Sequence, residues 1–260
     1  MKVVILAGGL GTRISEESEL KPKPLIEIGN LPIIWHIMKI YSHYGFNDFV
    51  ICLGYKGYLI KEYFSNYFLH KSDVTFDYTK EVLEVKFHHT KTEPWKVSLI
   101  DTGQATMTGS RIKRIKNFVN NETFMMTYGD GVGDIDIDKL LHSHKEKGKL
   151  ATMTTVLPPG RFGAAEIDAE GLVTDFLEKP TGDGNFINGG YFVLEPQIFD
   201  LIDNSEDVVW EDYPLKKLSS DLNLNSYHHG GFWQPMDTLR EKKLLEDLWA
   251  KNNAPWKLWD

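Results

Sequence analysis

The first apolar run, Val3-Val4-Ile5-Leu6-Ala7, contains no polar residue and stops at Gly8-Gly9-Leu10-Gly11. That is the pattern of a strand covered on both faces that opens into a glycine-rich loop. Pro32 to Tyr44 then sets Ile33, Ile37, Ile40, Tyr41 and Tyr44 at helical spacing, with proline at the start and Gly45 after the end. Asp48 to Leu53 is a second apolar run of strand length, and Tyr58 to Phe68 reads as a second amphipathic helix. The period changes over residues 72–100, where Val74, Phe76 and Tyr78 alternate with polar neighbours and Val82, Leu83, Val85 and Phe87 do so less cleanly, which predicts an inserted antiparallel hairpin. A helix near Ser110–Val119, a strand Thr123–Tyr128, a helix Asp136–Lys147 and a strand Leu150–Leu157 resume the α/β order. Strands Ala164–Ile167, Leu172–Leu177 and Gly190–Leu194 follow between glycine and proline turns, then short helices near Gln197–Ile202 and Tyr213–Ser220. Leu239, Leu244, Leu245, Leu248 and Trp249 mark a last helix. The alternation predicts a single α/β domain over 1–260: a Rossmann-like mixed, mostly parallel sheet flanked by helices, with antiparallel β insertions and a C-terminal helical segment.

Composition narrows the function. The 260 residues carry a net charge of −8, and no region concentrates basic residues among aromatics, so neither a nucleic-acid surface nor a nucleic-acid partner is expected. One cysteine, Cys52, lies inside an apolar run, which excludes an internal disulfide framework and fits a reducing, cytoplasmic compartment. No apolar stretch approaches a membrane span or a signal h-region, so no membrane partner is expected. Trp249, Trp256 and Trp259 crowd the end of the chain and predict packing or a subunit contact, consistent with a homo-oligomer.

The glycine loop fits a triphosphate. Three glycines within four positions let backbone N–H groups turn toward phosphate oxygens, while Arg13 and the Lys23 of Lys21-Pro22-Lys23-Pro24 supply positive charge. A P-loop would need Lys-Ser/Thr after its last glycine and a dinucleotide fingerprint would need Gly or Ala at Ile14, so neither motif applies. Asp130, in Tyr128-Gly129-Asp130-Gly131, stands at the carboxyl end of a predicted strand, where open α/β sheets bind ligands, and is a candidate Mg²⁺ ligand. Magnesium takes one or two carboxylates plus substrate phosphates, and Asp237 is the candidate second ligand, against its alternative as the N-cap of the helix beginning near Leu239. Lys179, closing an apolar strand in Glu178-Lys179-Pro180, suits a phosphate, and Asn188-Gly189-Gly190-Tyr191 offers an amide and open backbone to sugar hydroxyls. The pairs His88-His89, His228-His229 and His142/His144 lack the spacing that would point both imidazoles at one metal.

These phrases resemble the sugar-1-phosphate nucleotidyltransferases, whose N-terminal signature is matched by Leu6 through Arg13 and Lys21 through Pro24. Later phrases, among them Glu93-Pro94-Trp95, Met107-Thr108-Gly109, Pro158-Pro159-Gly160-Arg161-Phe162-Gly163 and Gly231-Phe232-Trp233-Gln234-Pro235-Met236-Asp237-Thr238, resemble its cytidylyl branch along the whole chain. The resemblance implies that CTP and α-D-glucose 1-phosphate give CDP-glucose and pyrophosphate, with Mg²⁺ as cofactor, toward dideoxysugars of surface polysaccharide. It implies that Leu6, Ala7, Gly8, Gly9, Leu10, Gly11, Thr12, Arg13 and Lys23 hold the nucleotide, joined by Thr106, Arg111 and Gly129. Asp130 and Asp237 would hold the metal, and Glu178, Lys179, Asn188, Gly189 and Tyr191 would face the sugar phosphate. Residues 158–238 would then form the sugar-phosphate part and 239–260 a helix and tail. Catalysis would rest on Arg13, Lys23, Asp130, Lys179 and Asp237 offsetting the repulsion between two polyanions, with nucleotide binding first.

Two rivals follow from the same residues. Asp134-Ile135-Asp136 and Asp136-Ile137-Asp138 each form the Asp-x-Asp pattern of a metal-dependent glycosyltransferase. A non-catalytic nucleotide-sugar sensor would need neither candidate metal carboxylate.

Overall fold

The computed structural model describes residues 1–9, 21–158, 164–167, 169, 171–177 and 185–259. In chain order the strands are β1 Val3–Ala7, β2 Glu27–Ile28, β3 Leu31–Pro32, β4 Asp48–Leu53, β5 Ser72–Asp77, β6 Glu84–Thr90, β7 Lys96–Asp101 and β8 Phe124–Tyr128. They continue as β9 Gly131–Gly133, β10 Ala151–Val156, β11 Ala164–Ile167, β12 Val173–Leu177, β13 Ile187–Leu194, β14 Leu224–His229 and β15 Trp233–Pro235. The helices are α1 Ile33–His43, α2 Gly57–His70, α3 Thr108–Arg114, α4 Ile137–Lys147, α5 Tyr213–Ser220 and α6 Leu239–Ala250.

Among the described residues the main sheet has seven strands in the order β14-β10-β13-β8-β1-β4-β7. β1 runs parallel to both β4 and β8, and β4 runs parallel to β7. β13 alone runs against its neighbours, between β8 and β10, while β14 pairs parallel with β10. The mixed, mostly parallel sheet expected from the sequence is therefore present. Its two faces divide each strand by parity. Val3, Ile5, Phe49, Ile51 and Met125 pack on the α1 side, and Val4, Leu6, Val50, Cys52 and Met126 pack on the α3 side. Burial on both faces is why these strands read as unbroken apolar runs.

The hairpin is shorter than the sequence suggested. β5 and β6 form an antiparallel ribbon, but Lys96–Asp101 leaves it and joins β4 as the parallel edge strand β7. Half-buried Val97 and Leu99 pack on the core from that edge, whereas the alternation of the ribbon residues leaves Phe76, Val85 and Phe87 exposed. Alternating patterns cannot separate an edge strand, covered on one side, from a free ribbon.

The terminal tryptophans belong to the core. Trp256 is fully buried, stacks on Trp249 and Phe232, and points Nε1–H at His36 Nδ1 from 3.4 Å. His36 Nε2 lies 2.9 Å from the Ile28 carbonyl, so this nitrogen carries the proton and the ring is neutral. Burial drives its pKa down to about 4, opposed by the Ile28 and Leu31 carbonyls.

Candidate functional site

Parallel strands put their carboxyl ends on one edge, and β1 has β4 on one side and β8 on the other. The chain order reverses between β1 and β8, and a crevice opens at such a switch point. A cavity of about 560 Å³ lies there, lined by Leu6 to Gly9, Lys23, Gln104 to Thr108, Arg111, Tyr128 to Asp130 and Asp237. Stretches more than two hundred positions apart thus meet around one cleft.

The centre of the cleft is an ammonium between two carboxylates. Lys23 Nζ lies 2.8 Å from Asp130 Oδ2 and 2.5 Å from Asp237 Oδ1. Burial opposes the charged amine, yet Asp130 and Asp237 outweigh it and raise its pKa above the ordinary lysine value. Proline places the side chain: Lys23–Leu25 is a 3-10 turn closed by Leu25 N–H on the Pro22 carbonyl at 2.8 Å, with Pro24 buried beneath it. Lys21, two residues earlier, pairs outside the cleft with Glu27 at 2.6 Å.

The carboxylates converge because β9 and β15 pair antiparallel, Gly131 opposite Pro235, and Met236 N–H donates to the Asp130 carbonyl at 2.8 Å. The competing helix-cap role of Asp237 is filled by its neighbour. Thr238 caps α6, accepting from Glu241 N–H at 3.3 Å, while Glu241 Oε2 accepts from both the Asp237 and Thr238 N–H groups. Two carboxylates held on one ammonium form a donor set suited to a divalent cation that takes its remaining ligands from phosphates and water.

Arg111 forms the opposite wall and is 4% exposed. Its Nη1 donates to the Leu53 carbonyl, Thr102 Oγ1 and the Gly103 carbonyl at 2.9, 2.8 and 2.7 Å. Its Nη2 donates to the Gly8 and Gln104 carbonyls at 3.0 and 3.2 Å. The guanidinium therefore staples the ends of β1, β4 and β7 together, and among the described residues no carboxylate pairs with it. Its charge faces the cleft from a fixed position. Gly8 makes room for it, since a Cβ there would lie 2.3 Å from Arg111 Cζ.

The remaining sequence-predicted residues divide. Leu6, Ala7, Gly8, Gly9, Lys23, Thr106, Arg111, Gly129, Asp130 and Asp237 all line the cleft. Thr106 Oγ1 accepts from Arg114 at 2.8 Å, which anchors the loop from behind. Asn188 and Gly189 lie beside it on β13, where Asn188 Nδ2 is 3.4 Å from Tyr128 Oη and the Gly189 carbonyl accepts from Trp233 Nε1 at 2.7 Å. Tyr191 is not brought to the cleft. Its ring is 1% exposed, stacks on Tyr41 in the core, and its hydroxyl donates to the Gly131 carbonyl at 3.3 Å. The alternation that would set it on the face of Gly189 is broken between them, where Gly190 takes φ +80° and the β10–β13 register shifts. Leu10, Gly11, Thr12, Arg13, Glu178 and Lys179 lie outside the described residues.

The Asp-x-Asp residues work elsewhere. Asp136 caps α4 by accepting from Lys139 N–H at 2.9 Å, and Asp134 Oδ1 lies 2.9 Å from His229 Nε2. Some of the histidines likewise have local partners: buried His144 bridges Thr152 and Glu195, and His228 packs on Phe186. Among the described residues no three His, Cys, Asp or Glu side chains gather into a metal-holding group, and no helix is long and apolar enough to cross a membrane.

One residue behind the cleft wall had no signal in the sequence. Thr108 and Tyr128, which both line the pocket, donate to Glu211, which sits in an unremarkable Trp-Glu-Asp run. Only the folded chain brings residue 211 to that wall.

The family model described as nucleotidyl transferase matches residues 2–234. A glucose-1-phosphate cytidylyltransferase of Salmonella typhi is 58% identical over 261 residues, covering all of both chains. A mannose-1-phosphate guanyltransferase of Saccharomyces cerevisiae is 30% identical over 268 residues, covering 99% of this chain and 68% of that protein. A solved UDP-glucose pyrophosphorylase complexed with UDP-glucose superposes with a TM-score of 0.68 at 15% identity, over 96% of this chain and 98% of that one, and so shares the fold. The family match runs through the glycine loop, Lys23 and Asp130, and the 58% identity continues past Asp237 to the end: the chain belongs to the nucleotidyl transferase family.

Proposed function

We propose that the chain transfers a cytidylyl group from CTP to α-D-glucose 1-phosphate, releasing pyrophosphate and forming CDP-glucose. The observation that carries this reading is Lys23 held between Asp130 and Asp237 at the switch-point cleft, and the choice of substrates follows the 58%-identical relative.

The nucleophile is a phosphate oxygen of the sugar phosphate. With a second pKa of about 6, it is already largely ionised at neutral pH, so no side chain needs to act as a base. What the protein must supply is alignment and cancellation of charge. Arg111 and Lys23 would hold the triphosphate from two sides, with the Gly8-Gly9 backbone beneath and Arg13 from the glycine loop. Lys179, Glu178, Asn188 and Gly189 would hold the sugar phosphate so that its oxygen lies in line with the α-phosphorus and the departing pyrophosphate. Tyr191 serves this reading only from below, by fixing the Gly131 carbonyl behind Asp130.

Members of the family generally use a divalent metal ion, and in this reading Asp130 and Asp237 hold Mg²⁺. When bound, it would neutralise negative charge on the α-phosphate and the leaving pyrophosphate. A homo-oligomeric, cytoplasmic enzyme is part of the same reading.

The experiment is a matrix of four nucleoside triphosphates against several hexose 1-phosphates, scored by pyrophosphate release. CTP with glucose 1-phosphate should give the highest kcat/KM. Asp130→Ala and Asp237→Ala should each lower it by about two to three orders of magnitude, as loss of a comparable electrostatic stabiliser does. Full activity in either variant, or sugar transfer to an acceptor without pyrophosphate release, overturns the reading.

A further inference from the structure

Glu211 does not line the cleft, but both of its oxygens reach residues that do. Oε1 accepts from Tyr128 Oη, at the end of β8, and Oε2 accepts from Thr108 Oγ1, at the start of α3, at 2.8 Å. The neighbouring backbone fixes the threonine: Trp210 N–H donates to Thr108 Oγ1 at 2.9 Å, which leaves the hydroxyl proton for Glu211. The segment is laced to the wall at a second point, where Gly109 N–H donates to the Val208 carbonyl at 2.8 Å.

The other end of the network is equally determined. Asn188 Nδ2 lies 3.4 Å from Tyr128 Oη, and Asn188 Oδ1 accepts from Gly190 N–H at 2.8 Å, so the amide cannot be flipped without losing both partners. Gly190, at φ +80°, brings the β13 backbone onto the tyrosine ring, where a Cβ would lie 2.7 Å from Tyr128 Cδ2. Thr108, Glu211, Tyr128 and Asn188 thus form one unbroken run from the side of the cleft assigned to the nucleotide to the side assigned to the sugar phosphate. A carboxylate presents a separate acceptor oxygen to each of the two hydroxyls. An amide offers one acceptor, and charge-assisted bonds of this kind are roughly twice as strong as neutral ones.

From this juxtaposition we infer that Glu211 is a positioning residue that couples the two substrate subsites, holding Thr108 and Tyr128 in one register so that nucleotide on one wall orders the Asn188 amide on the other. The inference rests on the cytidylyl-transfer reading above for which wall takes which substrate. Its signature is energetic coupling: each ligand tightens the other by the same factor, and the factor depends on Glu211 and Tyr128. A wall that is merely loosened weakens both ligands alike and leaves that factor unchanged.

The test measures the dissociation constant of α,β-methylene CTP with Mg²⁺ by calorimetry, with and without saturating glucose 1-phosphate, on the full chain. In the wild type, sugar phosphate should tighten nucleotide binding about 5- to 20-fold, within the usual span of coupling between sites. Tyr128→Phe and Glu211→Met should each reduce that factor to about twofold or less, and the double variant should reduce it no further, because one network is broken in either place. If Glu211→Met does not fold, Glu211→Gln takes its place and should give an intermediate factor. A wild-type factor of one, variant factors equal to wild type, or losses that multiply in the double variant overturn the inference. Pyrophosphate release from CTP and glucose 1-phosphate, measured on the wild type, separates it from the substrate assignment. Normal wild-type turnover with coupling unchanged in the Glu211 and Tyr128 variants sinks the role of Glu211 and leaves the function standing, while failure of the wild type to bind the nucleotide at all removes both.

Discussion

Replacing Lys23 with methionine should make the nucleotide-free protein bind a divalent ion more tightly while it destroys catalysis. The ammonium occupies the position between Asp130 and Asp237 that a metal ion would share. An incoming doubly charged ion must therefore draw both carboxylates off Lys23 and remain within a few ångströms of its positive charge. Charges of +2 and +1 about 5 Å apart repel by roughly 2 kcal/mol under water-like screening and by roughly 7 kcal/mol at an effective dielectric constant of 20. The lower figure governs here, because the Asp130 side chain is 38% exposed and Asp237 is 21% exposed. A relief of about 2 kcal/mol is about 30-fold in affinity. Electron paramagnetic resonance titration with Mn²⁺ should show that gain in Lys23→Met without nucleotide, and pyrophosphate release should fall by at least about a hundredfold. With triphosphate present the ordering should reverse, because a polyanion gives the wild-type ammonium somewhere else to go. A Lys23→Met protein that keeps its thermal midpoint but binds Mn²⁺ no better than wild type would refute the reasoning.

Gly8→Ala should move Arg111, because the new methyl would lie 2.3 Å from Cζ, and should cost about 1–3 kcal/mol in urea unfolding, whereas Gly9→Ala meets no atom of the described residues within 4 Å and should leave stability within about 0.5 kcal/mol. Equal midpoints for the two variants would contradict the staple geometry. Arg111→Lys should destabilise by about 3 kcal/mol and weaken CTP binding at least about tenfold, since a single ammonium cannot reach the carbonyls of Gly8, Leu53 and Gly103 together. His36 sets an acid limit. The unfolded chain takes up its proton near pH 6.5 but the folded chain only near pH 4, so stability that is full above pH 6.5 is lost as pH falls toward 4, by about 3 kcal/mol in total. Urea midpoints at pH 7.5 and 4.5 should differ less in His36→Gln than in wild type, and an equal difference would remove His36 as the cause.

The parts of the fold legible in the sequence are those where local pattern and tertiary environment agree. The runs Val3–Ala7 and Asp48–Leu53 are apolar throughout because both faces of a central parallel strand are covered. Asp136–Lys147 was readable as a helix from its spacing, and Asp136 proves to be the cap rather than its first residue. Where the environment decides, pattern fails. Lys96–Asp101 alternates like the ribbon before it, yet it is an edge strand of the main sheet, because only the position of β4 determines which alternating segment finds a partner. In the cleft, residues with backbone punctuation were legible: Gly8, Lys23 between two prolines, and Asp130 between two glycines. The sequence neighbours of Tyr191 suggest the sugar side, but the orientation of a strand residue is set by register, and the register of β13 against β8 sends its ring inward. Glu211 was invisible for the complementary reason. Its role exists only because α3 and the end of β8 close on it from residues far away.

The net charge of −8 and the chemistry of a polyanion site are reconciled by where the charges stand. Acidic side chains such as Glu206 and Asp207 stand on the exposed surface, where ionic strength screens them over about a Debye length. Arg111 and Lys23 stand in the cleft at low exposure, where the same unit charge meets its partner at contact distance instead of across solvent. Arg111 is held by neutral carbonyls, so its charge remains to be balanced by whatever enters. Lys23 is held by two carboxylates, so its charge becomes available only when something else takes them. A ligand that brings both an anion and a divalent cation satisfies the two sites together, and a ligand that brings only one does not. On the proposed reading the cleft would therefore favour a metal-bound triphosphate over either component alone, through pairings fixed in the folded chain before any ligand arrives.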